Sequence, residues 1–239
     1  MLLFAGLAPG FPAALPLLAE FKLDFGAIAP SLPFIFTGIW VTLRFTLISL
    51  IFGFLWGTLL ALFKISSFKP LYWFGMGYTS VFRGIPLLVT LSVIYFATPQ
   101  LTGFNIQPLQ AGVLTFSLNS GAYVSEVIRA GILAVDRGQT EAAMSLGVTY
   151  RPMMLDIILP QAVKNILPAL VNETIALLKD SSLVATIGAQ DLLRRAQIVG
   201  AQKYVYFEPL LIVAIVYYVM VMVLTLAANV LEQRLRRSS

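Results

Sequence analysis

The chain has 239 residues, of which 59% are hydrophobic and only 11% charged. A soluble domain carries about 25% charged residues, so this deficit, with a mean hydropathy of +0.87, places the chain among integral membrane proteins. Cys and His are absent, which excludes disulfides, thiolate chemistry, imidazole metal sites and His-based acid–base catalysis; the formal charge of +5 fits cytoplasmic loops better than nucleic-acid binding.

Residues 1–19 are apolar but broken by Gly6, Pro9, Gly10, Pro12 and Pro16. No Lys or Arg precedes this run, so it lacks the basic start of a signal peptide. Residues 1–30 therefore read as an extracytoplasmic or interfacial lead-in, with Glu20, Lys22 and Asp24 as its polar end. Residues 31–237 read as one membrane domain.

Within it the apolar runs suit a hydrocarbon core about 30 Å thick. The first span is 33–63, holding Arg44, and Lys64 and Lys69 bracket the turn that follows. The second is 71–98, interrupted at Arg83-Gly84-Ile85-Pro86. The third is 109–133. A polar break, 137–156, separates it from the fourth, 157–178, which contains Pro160 and Pro168. Residues 179–206 are mixed and polar. The fifth span is 208–231, and the chain ends in Glu232, Arg234, Arg236 and Arg237. The fold class is all-α integral membrane, with about five transmembrane helices.

Five spans put the termini on opposite sides, and the basic tail puts the C-terminus in the cytoplasm. Lys64, Lys69, Arg137 and Arg151 then fall inside as well. Arg194, Arg195 and Lys203 fall outside, against the rule. The other loops agree, so the topology stands; the alternative for residues 183–200 is a fold back towards the membrane, buried against protein rather than lipid.

The polar break carries helix formers from Gln139 to Leu146. Gly147 suits the left-handed position after a helix. Thr149 suits the cap of a second short helix with Pro152 in its first turn. Such a unit is either a plain surface loop or a platform for a soluble partner.

The order Glu141-Ala142-Ala143, Gly147, Ile157, Leu159-Pro160 resembles the signature loop of permease subunits of bacterial ATP-binding-cassette importers. Phe82-Arg83-Gly84-Ile85-Pro86-Leu87-Leu88-Val89, Ala122-Tyr123, Glu126, Arg129, Gly131-Ile132, Gly138-Gln139, Leu167-Pro168-Ala169, Asn172-Glu173, Lys179-Asp180-Ser181-Ser182-Leu183 and Glu232-Gln233-Arg234 are similar to its polar amino acid branch, the histidine, glutamine and arginine type. That branch usually has Thr at Ile85 and Gln at Thr90, so this segment carries no substrate assignment.

The resemblance implies the type I importer permease fold in a bacterial inner membrane. It implies a coupling helix docked on a nucleotide-binding ATPase subunit through Glu141, Ala142, Ala143 and Gly147. It implies an amino acid substrate moved by alternating access and delivered by an extracytoplasmic solute-binding protein. The chain lacks a phosphate-binding Gly-rich loop. It is therefore not expected to be an enzyme or to hold a cofactor; ATP and Mg belong to the partner. Enclosing a solute takes two half-pathways, so a second copy or a paralogue is expected.

Polar groups at bilayer depth are functional candidates. Glu173 could take a cationic group of the substrate through a charge-assisted hydrogen bond, or it could anchor a helix contact. Asn165, Asn172 and Lys179 share one helix face by their spacing of seven, and Glu173 lies one step round. Asn119 and Tyr123 are candidates to line a cavity, and Glu126 and Arg129 to pair along one helix. Gly84 and Pro86 break a span, as a kink or as a ligand-facing hinge. Lys179, Asp180 and Ser181, with Gly188 downstream, read as a hinge or outer gate. An ion-coupled amino acid carrier is the alternative, and the lack of an internal repeat speaks against it. A membrane enzyme is disfavoured by the missing His, Cys and carboxylate pair.

Overall fold

The computed structural model describes residues 23–237; the lead-in read for residues 1–22 lies outside the described residues. All regular elements described are helical. Helical turns at Phe25–Ile28 and Ala29–Ser31 run straight into α1, Leu32–Ile65. The described part of the expected lead-in therefore belongs to the first membrane helix. Asp24 anchors this start twice. Its carboxylate accepts from the Ala27 N–H at 2.9 Å, and its own N–H donates to the buried Glu208 carboxylate at 2.8 Å.

α1 is apolar all round, so no hydrophobic stripe selects its inner face. Small residues do. Gly38, Thr42, Ser49, Gly53 and Gly57 are buried along one side, while Leu47, Phe52, Leu55 and Leu62 are exposed on the others. In lipid, association depends on close backbone approach rather than on burying oil. A Cβ on Gly57 would meet the Val124 side chain at 2.6 Å and the Gly121 carbonyl at 2.8 Å. That contact fixes α1 against α4, Pro108–Leu133.

Between them lies the interrupted second span. α2, Lys69–Gly84, and α3, Leu87–Thr102, are bent by 101°. Ile85 is extended because a proline follows it, and Pro86 has no N–H to continue the ladder. The break expected at residues 83–86 is thus a corner between two half-helices.

Phe25–Ile65, Tyr150–Ile187 and Phe207–Gln233 are long and apolar enough to cross a membrane, and α2 with α3 pass that test together. α4 has 26 residues, enough for about 39 Å. It is diluted by Thr115, Ser117, Asn119, Ser120 and Ser125, all buried. Its neighbours are other helices, so it needs less lipid-compatible surface.

α5, Arg137–Ser145, begins at Asp136, whose carboxylate accepts from the Gly138 N–H. It ends at Gly147, with φ of 75°. The Gly147 N–H donates to Met144 and the Val148 N–H to Ala143, a Schellman closure that satisfies the last carbonyls. Thr149 precedes the next turn, Tyr150–Pro152, but makes no side-chain cap; only its carbonyl is used, by the Met153 N–H. A wide π turn, Met153–Ile158, then enters α6, Leu159–Asp180. The Leu159 N–H reaches back to Met154, and Pro160, lacking an N–H, cannot restore the ordinary register.

After α6, a tight 3₁₀ run, Ser181–Ile187, is closed by Gly188 at φ of 87°. α7, Leu192–Lys203, follows and packs onto α1 and α8, Phe207–Arg237. Ile28, Ile35, Leu192, Ala196, Val199 and Val213 form the core there. Of the two readings left open for residues 183–200, burial against protein is the one the packing of α7 matches. It also supplies partners for one of the charges expected to break the charge rule. Arg195 donates to the Phe34 and Gln190 carbonyls and to Thr37, and lies over the Phe34 ring at 4.8 Å.

Candidate functional site

The corner between α2 and α3 opens a cavity of about 450 Å³. α2 and the corner supply Arg83, Gly84, Ile85 and Pro86, α4 supplies Asn119 and Tyr123, and α6 supplies Glu173, Ala176, Leu177 and Asp180. Residues 173, 176, 177 and 180 repeat at the helical interval and form one stripe of α6. Asn119 holds the corner: its amide donates to the Phe82 carbonyl at 2.9 Å. Tyr78, one turn earlier on α2, donates to the Leu118 carbonyl at 2.8 Å. The guanidinium of Arg83 lies 5.3 Å from the centre of the Tyr123 ring, a cation–π contact that restrains the cation at the cavity wall.

Asn119, Tyr123, Glu173, Gly84 and Pro86 are therefore brought together. Asn172 is not in the cavity: Asn165, Asn172 and Lys179 form an exposed face of α6. The polar stripe seen in the sequence is one residue out of phase with the wall, because Glu173 and Asp180 share the same spacing of seven. Asp180, read as a gate residue, is a wall residue. Ser181 is buried and donates to the Leu178 carbonyl at 2.6 Å, within the 3₁₀ run. Arg83, read only as part of a kink, contributes the cavity's cation. Its place immediately before the Gly-x-Pro break was the available signal.

The second arrangement is the end of the bundle carrying α5. Ala143 is buried with Met153 and Ile158, packed by Ile132, Val135 and Ile157. That cluster ties α5 to the foot of α6 and to the end of α4. Glu141, Ala142 and Gly147 are exposed beside it, so Ala143 is an inner anchor rather than part of the outer face. Leu146 is 83% exposed, Tyr150 62% and Met144 58%. Three large apolar side chains on a polar helical platform suit contact with another protein.

A third cluster was not legible. The Lys64 side chain is fully buried, with Nζ 2.6 Å from Glu126 Oε1 and 2.9 Å from Ser125 Oγ. Glu126 Oε2 accepts from Arg129 Nε at 3.0 Å and Nη2 at 2.8 Å. The expected Glu126–Arg129 pair exists, but Lys64, read as a loop charge, joins α1 to it.

An all-helical membrane bundle with a charged cavity at a broken span, and an exposed helical platform at one end, defines a class of proteins that pass polar solutes across a bilayer. The chain belongs to the family of binding-protein-dependent transport system inner membrane components, whose profile matches residues 49–237. It is similar to the arginine transport system permease protein ArtQ of Bacillus subtilis, with 51% identity over 90% of this chain and 98% of that one. It is 50% identical to the putative glutamine transport system permease protein GlnP of Rickettsia felis, over 86% of this chain and 94% of that one. A solved amino acid ABC transporter with histidines superposes with a TM-score of 0.86 at 45% identity, covering 89% of this chain and 99% of that one. Within the family the chain is an amino acid ABC transporter permease.

Proposed function

We propose that this permease imports cationic amino acids, driven by ATP hydrolysis on a separate subunit. The observation that carries the substrate class is the charge set of the cavity. One cation, Arg83, shares the wall with two carboxylates, Glu173 and Asp180. With both ionised, the set is complementary to an amino acid bearing an extra positive charge. Glu173 is half-buried and has no hydrogen-bonded cation of its own among the described ion pairs. A carboxylate taken out of water needs such a partner, and a guanidinium or ammonium ligand supplies one.

The α-carboxylate then goes to Arg83 and the first turn of α3, where a helix start presents free amides to an anion. A substrate held at both ends is oriented as well as bound. The arginine transport system permease among the relatives supports this class; the relative named as a putative glutamine transport permease points to neutral cargo as the competing reading.

The platform of Glu141, Ala142, Met144, Leu146 and Tyr150 docks on the nucleotide-binding subunit, in the cytoplasm together with the C-terminus. Motion there reaches α6 through Ala143, Met153 and the π turn, and α6 carries Glu173 and Asp180. The rim of the cavity is open at Arg83 and Asp180, both exposed, and a second copy or a paralogue closes it. An extracytoplasmic binding protein delivers the solute. Substitution of Glu173 by Gln, with arginine and glutamine uptake compared in the assembled transporter, tests the substrate class. Equal effects on both solutes reject it.

A further inference from the structure

The Lys64–Glu126–Arg129 cluster has more positive than negative charge, and nothing in the proposed transport path uses it. Glu126 neutralises one cation and is consumed at both oxygens. Lys64 Nζ is enclosed behind Glu126 and Ser125, whereas Arg129 by donor inventory keeps the Nη1 pair. Arg129 remains 42% exposed in its side chain. These donors form the polar end of a cavity of about 370 Å³, separate from the solute cavity.

The rest of that cavity is apolar. Ile65, Met76, Ile132 and Leu133 line it, with Tyr72 beside them. Met76 is 37% exposed and Leu133 67%, so the walls are open sideways. Phe68 and Trp73 are exposed at the start of α2 nearby, the aromatic girdle that marks a membrane–water boundary. A half-open groove at that depth, oily along its length and cationic at its head, matches an amphiphile with an anionic headgroup.

We infer that this groove between α1, α2 and α4 binds an anionic phospholipid, its phosphate held by Arg129, with the enclosed Lys64 cation behind it offsetting Glu126, and its chains along Ile65, Met76, Ile132 and Leu133. Basic pockets between membrane helices at the bilayer surface recognise headgroups in this way. The occupant is a lipid rather than free phosphate, because free phosphate leaves the apolar walls uncovered. The bound lipid bridges α1 and α4 close to the point where α4 leads to α5.

The test is native mass spectrometry of the full chain with dioctanoyl phosphatidylglycerol or dioctanoyl phosphatidylcholine. Phosphatidylglycerol is expected to bind about fivefold more tightly, the preference from one cation near a headgroup. Arg129→Gln, which leaves the Lys64–Glu126 pair in place, is expected to abolish the preference. Met76→Trp, which fills the groove and keeps every charge, is expected to abolish it too, and decides the matter if Arg129→Gln does not fold. Equal affinity for the two lipids, or a preference surviving in Met76→Trp, overturns the site. Displacement of phosphatidylglycerol by an equal concentration of inorganic phosphate overturns the lipid assignment.

Discussion

Glu173 and Asp180 stand two turns apart on α6 and line the same cavity as Arg83. Two acids and one base around a half-buried space are the basis of the proposed preference for a cationic solute. Replacing Glu173 by Gln keeps size and hydrogen bonding but removes the charge. A hydrogen bond to a charged group contributes about 1.5–3 kcal/mol. Affinity for arginine or lysine is expected to fall about 10- to 100-fold, and glutamine affinity to change far less. Isothermal titration of the purified transporter measures both.

In the proposed pose Arg83 meets the carboxylate that every amino acid shares. Arg83→Gln is therefore expected to weaken arginine and glutamine alike, by roughly tenfold or more. The contrast between the two variants is the informative result. A selective effect of Arg83→Gln on one solute would reassign the carboxylate to another donor.

At the other end of the bundle, Gly147 holds φ of 75° with open space around it. The Cβ of a valine there meets no clash, but a β-branched residue at this φ strains the backbone by about 1–3 kcal/mol and is expected to turn Leu146 and Tyr150 away from their present direction. Gly147→Val and Glu141→Lys are expected to lower solute-stimulated ATPase activity of the assembled transporter severalfold while leaving helicity by circular dichroism unchanged. Normal stimulation in both variants would remove the docking role.

Three of the spans, and a fourth as the bent pair α2 and α3, were legible because long apolar runs have few alternatives in a chain this poor in charge; α4, read as a span, is too diluted by polar residues to pass the same test. The Gly147 turn was legible because only glycine takes that conformation cheaply. The cavity wall was not. A regular spacing of seven fits any face of α6, and the sequence offers two polar stripes one residue apart; packing against α4 selects Glu173 and Asp180 over Asn172 and Lys179. Lys64 was unreadable for a related reason: it looks like the first loop charge, and only the α1–α4 contact shows that it turns inward to Glu126. Thr149 was read as a cap from its type alone, but its side chain caps nothing.

Asp191, between the fourth and fifth spans, is 1% exposed and caps α7 by accepting from the Arg194 N–H at 2.8 Å. Burial pushes its carboxyl from 3.8 up to about 6, against the hydrogen bonds that favour the anion. The folded state therefore holds this proton more tightly than the unfolded chain. Its stabilising contribution is present below the unfolded value and is lost as pH rises through about 6. Asp191→Asn keeps the cap and cannot ionise. The variant is expected to be the more stable at pH 7 relative to the wild type, by up to about 3 kcal/mol, with the difference closing towards pH 4. Thermal melts across that range measure it; parallel profiles would contradict the assignment.

The central claim is that solute charge is read at Glu173 and that transport is driven from the α5 platform. Proteoliposomes holding the permease with its ATPase subunit, ATP inside and binding protein outside, test both parts through labelled arginine uptake. The account predicts uptake that requires ATP and the ATPase subunit, and that falls at least about tenfold in Glu173→Gln, while uptake of any neutral solute carried is spared. Uptake by the permease alone, or unchanged arginine uptake in Glu173→Gln, would contradict it.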